Sequence, residues 1–219
     1  MPSADMTLRD QVAAQLLRVQ AVFLRPDEPF TWASGIKSPI YCDNRLTLSD
    51  TDARGIIEQG IADTVTALYP DCEALMGTST AGIPHAAIAA HLLKLPMGYV
   101  RGGQKDHGRQ NQIEGRLKPG QKVVVIEDLI STAGSVIEVV EVLRAAGAQV
   151  LGIVSIFTYG MSKGLERLRA AGIDNHSLTD FDAVVAQAAL SGYIRPEDEQ
   201  RLKQFRDNPQ DESWIGANA

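Results

Sequence analysis

The chain of 219 residues is 44% hydrophobic and 22% charged, the balance of a soluble globular domain long enough to bury its own core, which excludes disordered and fibrous classes. With 21 basic against 27 acidic residues and a net charge of −6, it lacks the broad positive surface of a nucleic-acid or anionic-membrane binder, so an anionic ligand has to be held locally. Cys42 and Cys72 are too few for a disulfide framework and have no paired zinc spacing; they read as inert structural thiols in a reducing cytosol.

The opening MPSADMTLRD puts Asp5 and Asp10 where a signal peptide needs a basic and then an apolar segment, and no apolar run approaches the roughly 20 residues of a bilayer crossing. A cytoplasmic protein is expected. Leu8, Val12, Leu16, Val19 and Phe23 recur at helical steps, predicting an amphipathic helix closed by Pro26 and Pro29. Residues 30–47, with Gly35 and Pro39, suit short strands and a turn. Ser49 and Asp52 have capping-box spacing, and Ile56, Ile57, Ile61, Thr64, Val65 and Leu68 then trace one helical face that ends at Pro70 and Asp71.

A repeated unit of buried strand, small-residue loop and helix follows. Glu73 to Met76 reads as a strand, GTSTAGIP at Gly77 to Pro84 as a loop, His85 to Leu95 as an apolar helix and Met97 to Val100 as the next strand. Arg101 to Gly115 is a long polar stretch without apolar period. Lys122 to Ile126 is a β-branched run of the kind buried in a parallel sheet, ending in Glu127 and Asp128. Ser131 to Ser135 leads into a helix bearing Val136, Val139, Val140 and Leu143, with Gly147 as its C′ residue, and Val150 to Phe157 is a further strand. Repeated βαβ units imply an α/β domain with a central parallel sheet. Two helical segments, near Phe181 to Leu190 and Pro196 to Phe205, close the chain.

The densest chemical signal is VVVIEDLISTAGS, residues 123–135. Ligands of open α/β sheets sit beyond the carboxyl ends of the strands, so Glu127 and Asp128 are placed to grip vicinal hydroxyls or hydrated Mg²⁺. Ser131, Thr132, Ala133, Gly134 and Ser135 add hydroxyls and backbone N–H donors at a helix N-terminus, a phosphate-binding arrangement. Neither a Walker loop nor a dinucleotide fingerprint is present. In the long polar stretch, Arg101, Lys105, His107 and Arg109 gather positive charge among glycines with no hydrophobic anchor, which suits a loop that closes over an anion.

IEDLISTAGS resembles the phosphoribosyl pyrophosphate (PRPP) signature of the type I phosphoribosyltransferases. FTWASGIKSPIYCDNR (30–45), YVRGGQKDHGRQNQIEG (99–115), VLGIVSIFTY (150–159) and RDNPQDESWI (206–215) are similar to the orotate phosphoribosyltransferase family within that group, particularly its Gram-positive bacterial form, over nearly the whole chain. The resemblance implies one domain: a hood from about residues 1–48 plus the C-terminal segment, a core over about 49–160 with a mostly parallel sheet flanked by helices, and a mobile catalytic loop over about 101–115. It implies conversion of orotate and PRPP to orotidine 5′-monophosphate and pyrophosphate with Mg²⁺, in a homodimer whose active sites are shared between subunits. Glu127 and Asp128 would face the ribose hydroxyls, and Leu129, Ile130 and Ser131 to Ser135 would wrap the 5′-phosphate. Ser131 matches a position that also contacts orotate. Arg101, Lys105 and His107 would reach pyrophosphate from the neighbouring subunit, whereas Arg109 has no matching role.

Lys105 is the stronger catalytic candidate, because a cation near the oxygen that gains charge as the C1–O bond breaks favours the transition state. His107 could donate a proton, and Asp128 could favour the oxocarbenium-like centre. No direct protein ligand to Mg²⁺ is expected, since PRPP and water supply most of its oxygens. The chain departs from some relatives at Ala33, Thr80, Ala81, Gly102 and Thr158, where cationic or polar contacts are replaced. Lys37 and Arg45 are the expected substitutes for holding the orotate carboxylate. His85, His91 and His176 read as structural. A purine or uracil salvage phosphoribosyltransferase would share the Glu127 to Ser135 device without needing the hairpin at 30–45, and a PRPP-sensing regulator would need a nucleic-acid surface.

Overall fold

The computed structural model describes residues 6–32, 35–102 and 112–215. The first elements are α1 (Leu8–Arg18), β1 (Val22–Leu24), β2 (Phe30–Thr31), β3 (Lys37–Ser38), β4 (Ile40–Cys42), a 3₁₀ turn (Asn44–Ser49) and α2 (Thr51–Leu68). Then come β5 (Ala74–Thr78), α3 (Gly82–Leu93), β6 (Met97–Val100), β7 (Ile113–Glu114), β8 (Lys122–Ile130), α4 (Gly134–Ala145) and β9 (Gln149–Thr158). The chain continues through α5 (Ser162–Ala170), β10 (Asn175–Asp180), α6 (Phe181–Leu190) and α7 (Asp198–Asp207). It divides into two compact units, one gathering residues 1–56, 159–162 and 179–219 and the other 57–158 and 163–178.

The second unit holds the main sheet, in the order β10-β9-β8-β5-β6-β7. β5, β6, β8 and β9 run parallel, and β7 returns antiparallel along β6. From β5 the chain crosses through α3 to β6 on one side; from β8 it crosses through α4 to β9 on the other. The strand order therefore reverses between β5 and β8, the point where open α/β sheets form a crevice. Alternation along the strands fills both faces. Ala74, Met76, Val123, Val125 and Ile153 join Val136, Val140 and Leu143 of α4 in one apolar cluster. The intervening Leu75, Val124 and Ile126 are equally buried. On their face α3 comes close: a Cβ at Gly77 would stand 2.9 Å from Ile83 Cα and 3.2 Å from Ala86 Cβ.

In the first unit α1 packs on α6, and two small antiparallel ladders pair β1 with β4 and β2 with β3. Trp32, Tyr159, Phe181, Phe205 and Trp214 form an aromatic cluster with neighbouring ring centroids 5.6–6.5 Å apart. Arg201 ties α7 down by donating to Asp198, Asp27 and the carbonyls of Pro26 and Trp214.

The expected mostly parallel sheet flanked by helices is what the chain forms, with local corrections. The first helix ends at Arg18 rather than near Pro26: Gln20 takes a left-handed φ of 57°, and Val22–Leu24 pair as β1 against β4, so Phe23 lies in a strand. The cap of α2 is Asp50, not Ser49, its Oδ1 accepting from the N–H groups of Asp52 and Ala53. β8 continues through Glu127 and Asp128 to Ile130, because β9 stays laddered to it as far as Thr158. α5, β7 and β10 were not expected; β7 lies inside the stretch read as a single polar loop, and β10 places His176 on a strand.

Candidate active site

Because β5, β6 and β8 are parallel, their carboxyl ends bring Thr78, Arg101 and the run from Glu127 to Ile130 to one edge of the sheet. At the reversal between β5 and β8, Thr78 Oγ1 donates to Glu127 Oε1 at 2.6 Å. The Asp128 N–H donates to the same oxygen at 2.9 Å. Glu127 is only 6% exposed. Desolvation first, and then the hydrogen bond and charge of the neighbouring Asp128 carboxyl, push its carboxyl up to about 8, against the pull of the Thr78 hydroxyl. Burial at the strand end therefore favours the neutral form of Glu127 at neutral pH. Two carboxyls set side by side at a strand end, one of them able to give up a proton, are suited to accept hydrogen bonds from adjacent hydroxyl groups.

Directly after β8 the chain turns through Ser131, Thr132 and Ala133 into α4. Ala133 adopts φ 59° and ψ 8°, and no side chain caps the helix, whose first turn holds no acidic residue. The first N–H groups and the positive end of the helix dipole are thus left for an anion. The loop is braced from α5: Arg167 Nη1 donates to the Thr132 carbonyl at 3.1 Å. The absence of a side chain at Gly164 lets the Ser131 carbonyl come within overlap distance of where a Cβ would sit. α3 also starts without a side-chain cap or an acidic first turn, after a loop in which Ser79 Oγ donates to the Val100 carbonyl at 2.6 Å.

Glu127, Asp128 and Leu129 to Ser135 form one continuous run from β8 into α4. Arg101 follows β6; its N–H donates to the Gln112 carbonyl at 2.8 Å and its Nε lies 3.3 Å from Glu114. Lys105, His107 and Arg109, like Ala33, lie outside the described residues. Thr80 and Ala81 sit in the loop before α3, and Thr158 ends β9 with its hydroxyl toward the Ile130 carbonyl. Lys37 and Arg45 belong to the other unit: Lys37 Nζ donates to Thr31 Oγ1 at 2.8 Å, and Arg45 makes a two-pronged contact with Asp43 at 2.6 and 2.7 Å that pulls the Asp43 carboxyl down.

His85 is fully buried on α3, its Nδ1 2.6 Å from Glu58 of α2, as a packing role requires. His91 is exposed, and His176 meets Tyr69 edge-on. Cys42 and Cys72 are both part-buried thiols, and burial pushes the Cys72 thiol up. Thr78 and Gly82 are the site residues that sequence reasoning passed over. Their one signal was position, at the end of a buried strand and the start of the next helix. Among the described residues no three His, Cys, Asp or Glu side chains converge as a metal cage.

Residues 51–189 match the phosphoribosyl transferase domain. Over 211 residues the chain is 54% identical to orotate phosphoribosyltransferase of Bacillus subtilis, covering 96% of this chain and 98% of that one. The chain belongs to the orotate phosphoribosyltransferase family. The orotate phosphoribosyltransferase of Listeria monocytogenes is similar at 52% over 209 residues, spanning 95% of this chain and 99% of that one. The crystal structure of orotate phosphoribosyltransferase from Aeropyrum pernix superposes with a TM-score of 0.72 at 30% identity, over 84% of this chain and 99% of that one. Within this chain the matched domain contains the strand reversal, the acidic pair and the uncapped start of α4. No helix among the described residues is long and apolar enough to cross a membrane.

Proposed function

We propose that this chain moves the 5-phosphoribosyl group of PRPP to orotate in pyrimidine biosynthesis: a bond forms between the orotate ring nitrogen and ribose C1 while the C1–O bond to pyrophosphate breaks. The observation that carries the reading is the acidic pair at the strand reversal followed at once by an acid-free, uncapped helix start. These are neighbouring sites for ribose hydroxyls and a 5′-phosphate, in a chain 54% identical to an orotate phosphoribosyltransferase.

In this reading Glu127 and Asp128 accept hydrogen bonds from the ribose hydroxyls, and Asp128 favours the positive charge that develops at C1. Leu129 to Ser135 enclose the 5′-phosphate with backbone N–H and hydroxyl donors, and Ser131 also meets orotate. Arg101, Lys105 and His107 act on pyrophosphate, Lys105 most strongly as the leaving oxygen gains charge. Lys37 and Arg45 hold the orotate carboxylate. The hard carboxylate oxygens at the site suit a Mg²⁺ ion that keeps waters and substrate oxygens. When bound, Mg²⁺ neutralises the departing pyrophosphate. The assembly in this reading is a cytoplasmic homodimer, each active site receiving Arg101, Lys105 and His107 from the other subunit.

Loss of orotate absorbance with PRPP and Mg²⁺, with uracil and hypoxanthine as controls, tests the activity. Orotate should be consumed and the controls spared; preference for a control base would assign the chain to salvage instead. Mixing inactive Lys105→Ala and Asp128→Ala chains tests the shared site. Activity should return through hybrid dimers, and none after proven subunit exchange would refute it.

A further inference from the structure

Two independent contacts meet at the Oγ1 atom of Thr78, a residue only 3% exposed at the end of β5. One is the 2.6 Å hydrogen bond to Glu127 Oε1; the Ile126 carbonyl lies further away, at 3.3 Å, so the single hydroxyl proton goes to the carboxyl. The other is the close approach of Gly82, the first residue of α3: a Cβ there would overlap both Thr78 Oγ1 and the Ile126 carbonyl oxygen. The hydroxyl is thus enclosed by β5, β8 and the start of α3, and the bare glycine is what leaves it room. On the acceptor side, Oε1 also takes the Asp128 N–H at 2.9 Å. Two donors fill the two lone-pair directions of Oε1, so a ligand has to be met at the other oxygen, in exchange for the side-chain hydrogen bond with Asp128.

We propose that Thr78 is a positioning residue for PRPP: its hydroxyl, kept in place by the missing side chain of Gly82, fixes the Glu127 carboxyl so that Oε2 meets the ribose hydroxyls. The proposal rests on the phosphoribosyl-transfer reading. Glu127 has a flexible, buried side chain at the seam of two strands, and without Thr78 it is held only by its sequence neighbour Asp128, through the N–H and the carboxyl. Thr78 supplies an anchor from the second strand. Losing it lets the carboxyl turn, so the ordering that was built into the protein has to be supplied when PRPP binds.

Thr78→Val keeps the shape and removes the donor, whereas Thr78→Ser keeps the donor and removes a packed methyl. A merely structural Thr78 would rank the variants by packing, with Thr78→Ser the worse. Positioning ranks them the other way for PRPP. Titration calorimetry of the full chain with PRPP and Mg²⁺ should show Thr78→Val weakened about tenfold, the scale of one buried hydrogen bond, and Thr78→Ser within about twofold of wild type. The KM for orotate should be unchanged in both. Gly82→Ala, which displaces the hydroxyl, should weaken PRPP in the same direction as Thr78→Val. If wild type binds PRPP and Thr78→Val binds it equally well, or if Thr78→Ser loses as much as Thr78→Val, the positioning role is overturned and the reading of the site stands. Failure of the wild-type chain itself to bind PRPP would instead overturn that reading, and this role with it.

Discussion

The helices α1, α2, α6 and α7 carry acidic residues in their first turns, respectively Asp10, Asp52, Asp182 and the pair Asp198 and Glu199. The helices α3, α4 and α5, which follow β5, β8 and β9, carry none. Side chains of Thr7, Asp50 and Asp180 accept the N–H groups that open α1, α2 and α6, whereas no side chain caps α3, α4 or α7. An acid or cap at a helix start stabilises by compensating the dipole and satisfying orphan N–H groups. Along the edge where the parallel strands end, that stabilisation is forgone, and the donors stay open to an anion. The acids this edge does carry are Glu127 and Asp128, and burial beside Asp128 holds the Glu127 carboxyl up at about 8.

Replacing the charge of that pair should have the largest effect. Asp128→Asn is expected to lower kcat/KM by about 10²–10³, the scale of removing one preorganised electrostatic partner of a transition state, while the melting temperature stays within a few degrees. Among the filled helix starts, Asp180→Ala removes both the cap of α6 and the two-pronged contact with Arg9. It should lower stability by about 2 kcal/mol, read as a melting shift of about 4–8 °C, with PRPP affinity unchanged. The Asp180 carboxyl lies below its ordinary value; burial opposes this, and the Arg9 and Ala183 hydrogen bonds outweigh it. Its contribution is present above pH ~3.9 and lost as pH falls through the lower folded value, so wild-type and variant stability curves should converge in strong acid.

Ser135→Asp fills an open start. α4 should gain about 0.3–1 kcal/mol of stability from the dipole, while PRPP binding weakens about tenfold by repulsion of its 5′-phosphate. Unchanged PRPP affinity would remove α4 from the phosphate site. The smallest expected effect is in the pH dependence of the ligand-free protein. Glu127 is raised to about 8 in the folded chain, so folding takes up a proton between its unfolded value and there, and stability falls as pH rises through that window. Glu127→Gln should flatten this slope, melting about 2–4 °C above wild type at alkaline pH for each kcal/mol recovered.

How much the sequence disclosed follows the range of the interactions. The acid pair, the small-residue loop after it and the helical faces of α2, α4 and α6 are encoded by near neighbours, and the turn from Ser131 leads into a helix as its pattern implied. What was missed depends on distant partners. The ends of β8 are set by its ladder with β9, so a motif that reads as a loop after a strand is the strand itself at Glu127 and Asp128. β10 is hard to read because its polar Asn175 and Ser177 are matched by the buried Ser155 hydroxyl of β9, a pairing no local periodicity contains. Thr78 looked like one more small residue in GTSTAGIP until folding set it against a carboxyl 49 positions away.

Gly164 touches no substrate in any step described above, yet its bare Cα is what lets α5 seat beneath the Ser131 carbonyl. The location of the phosphate loop is therefore inherited from a residue that a survey of ligand contacts would leave out. For protein engineering this inverts the usual search: libraries confined to the residues that meet PRPP vary the loop's chemistry but not its position, whereas enlarging residue 164 moves the backbone with every loop side chain intact.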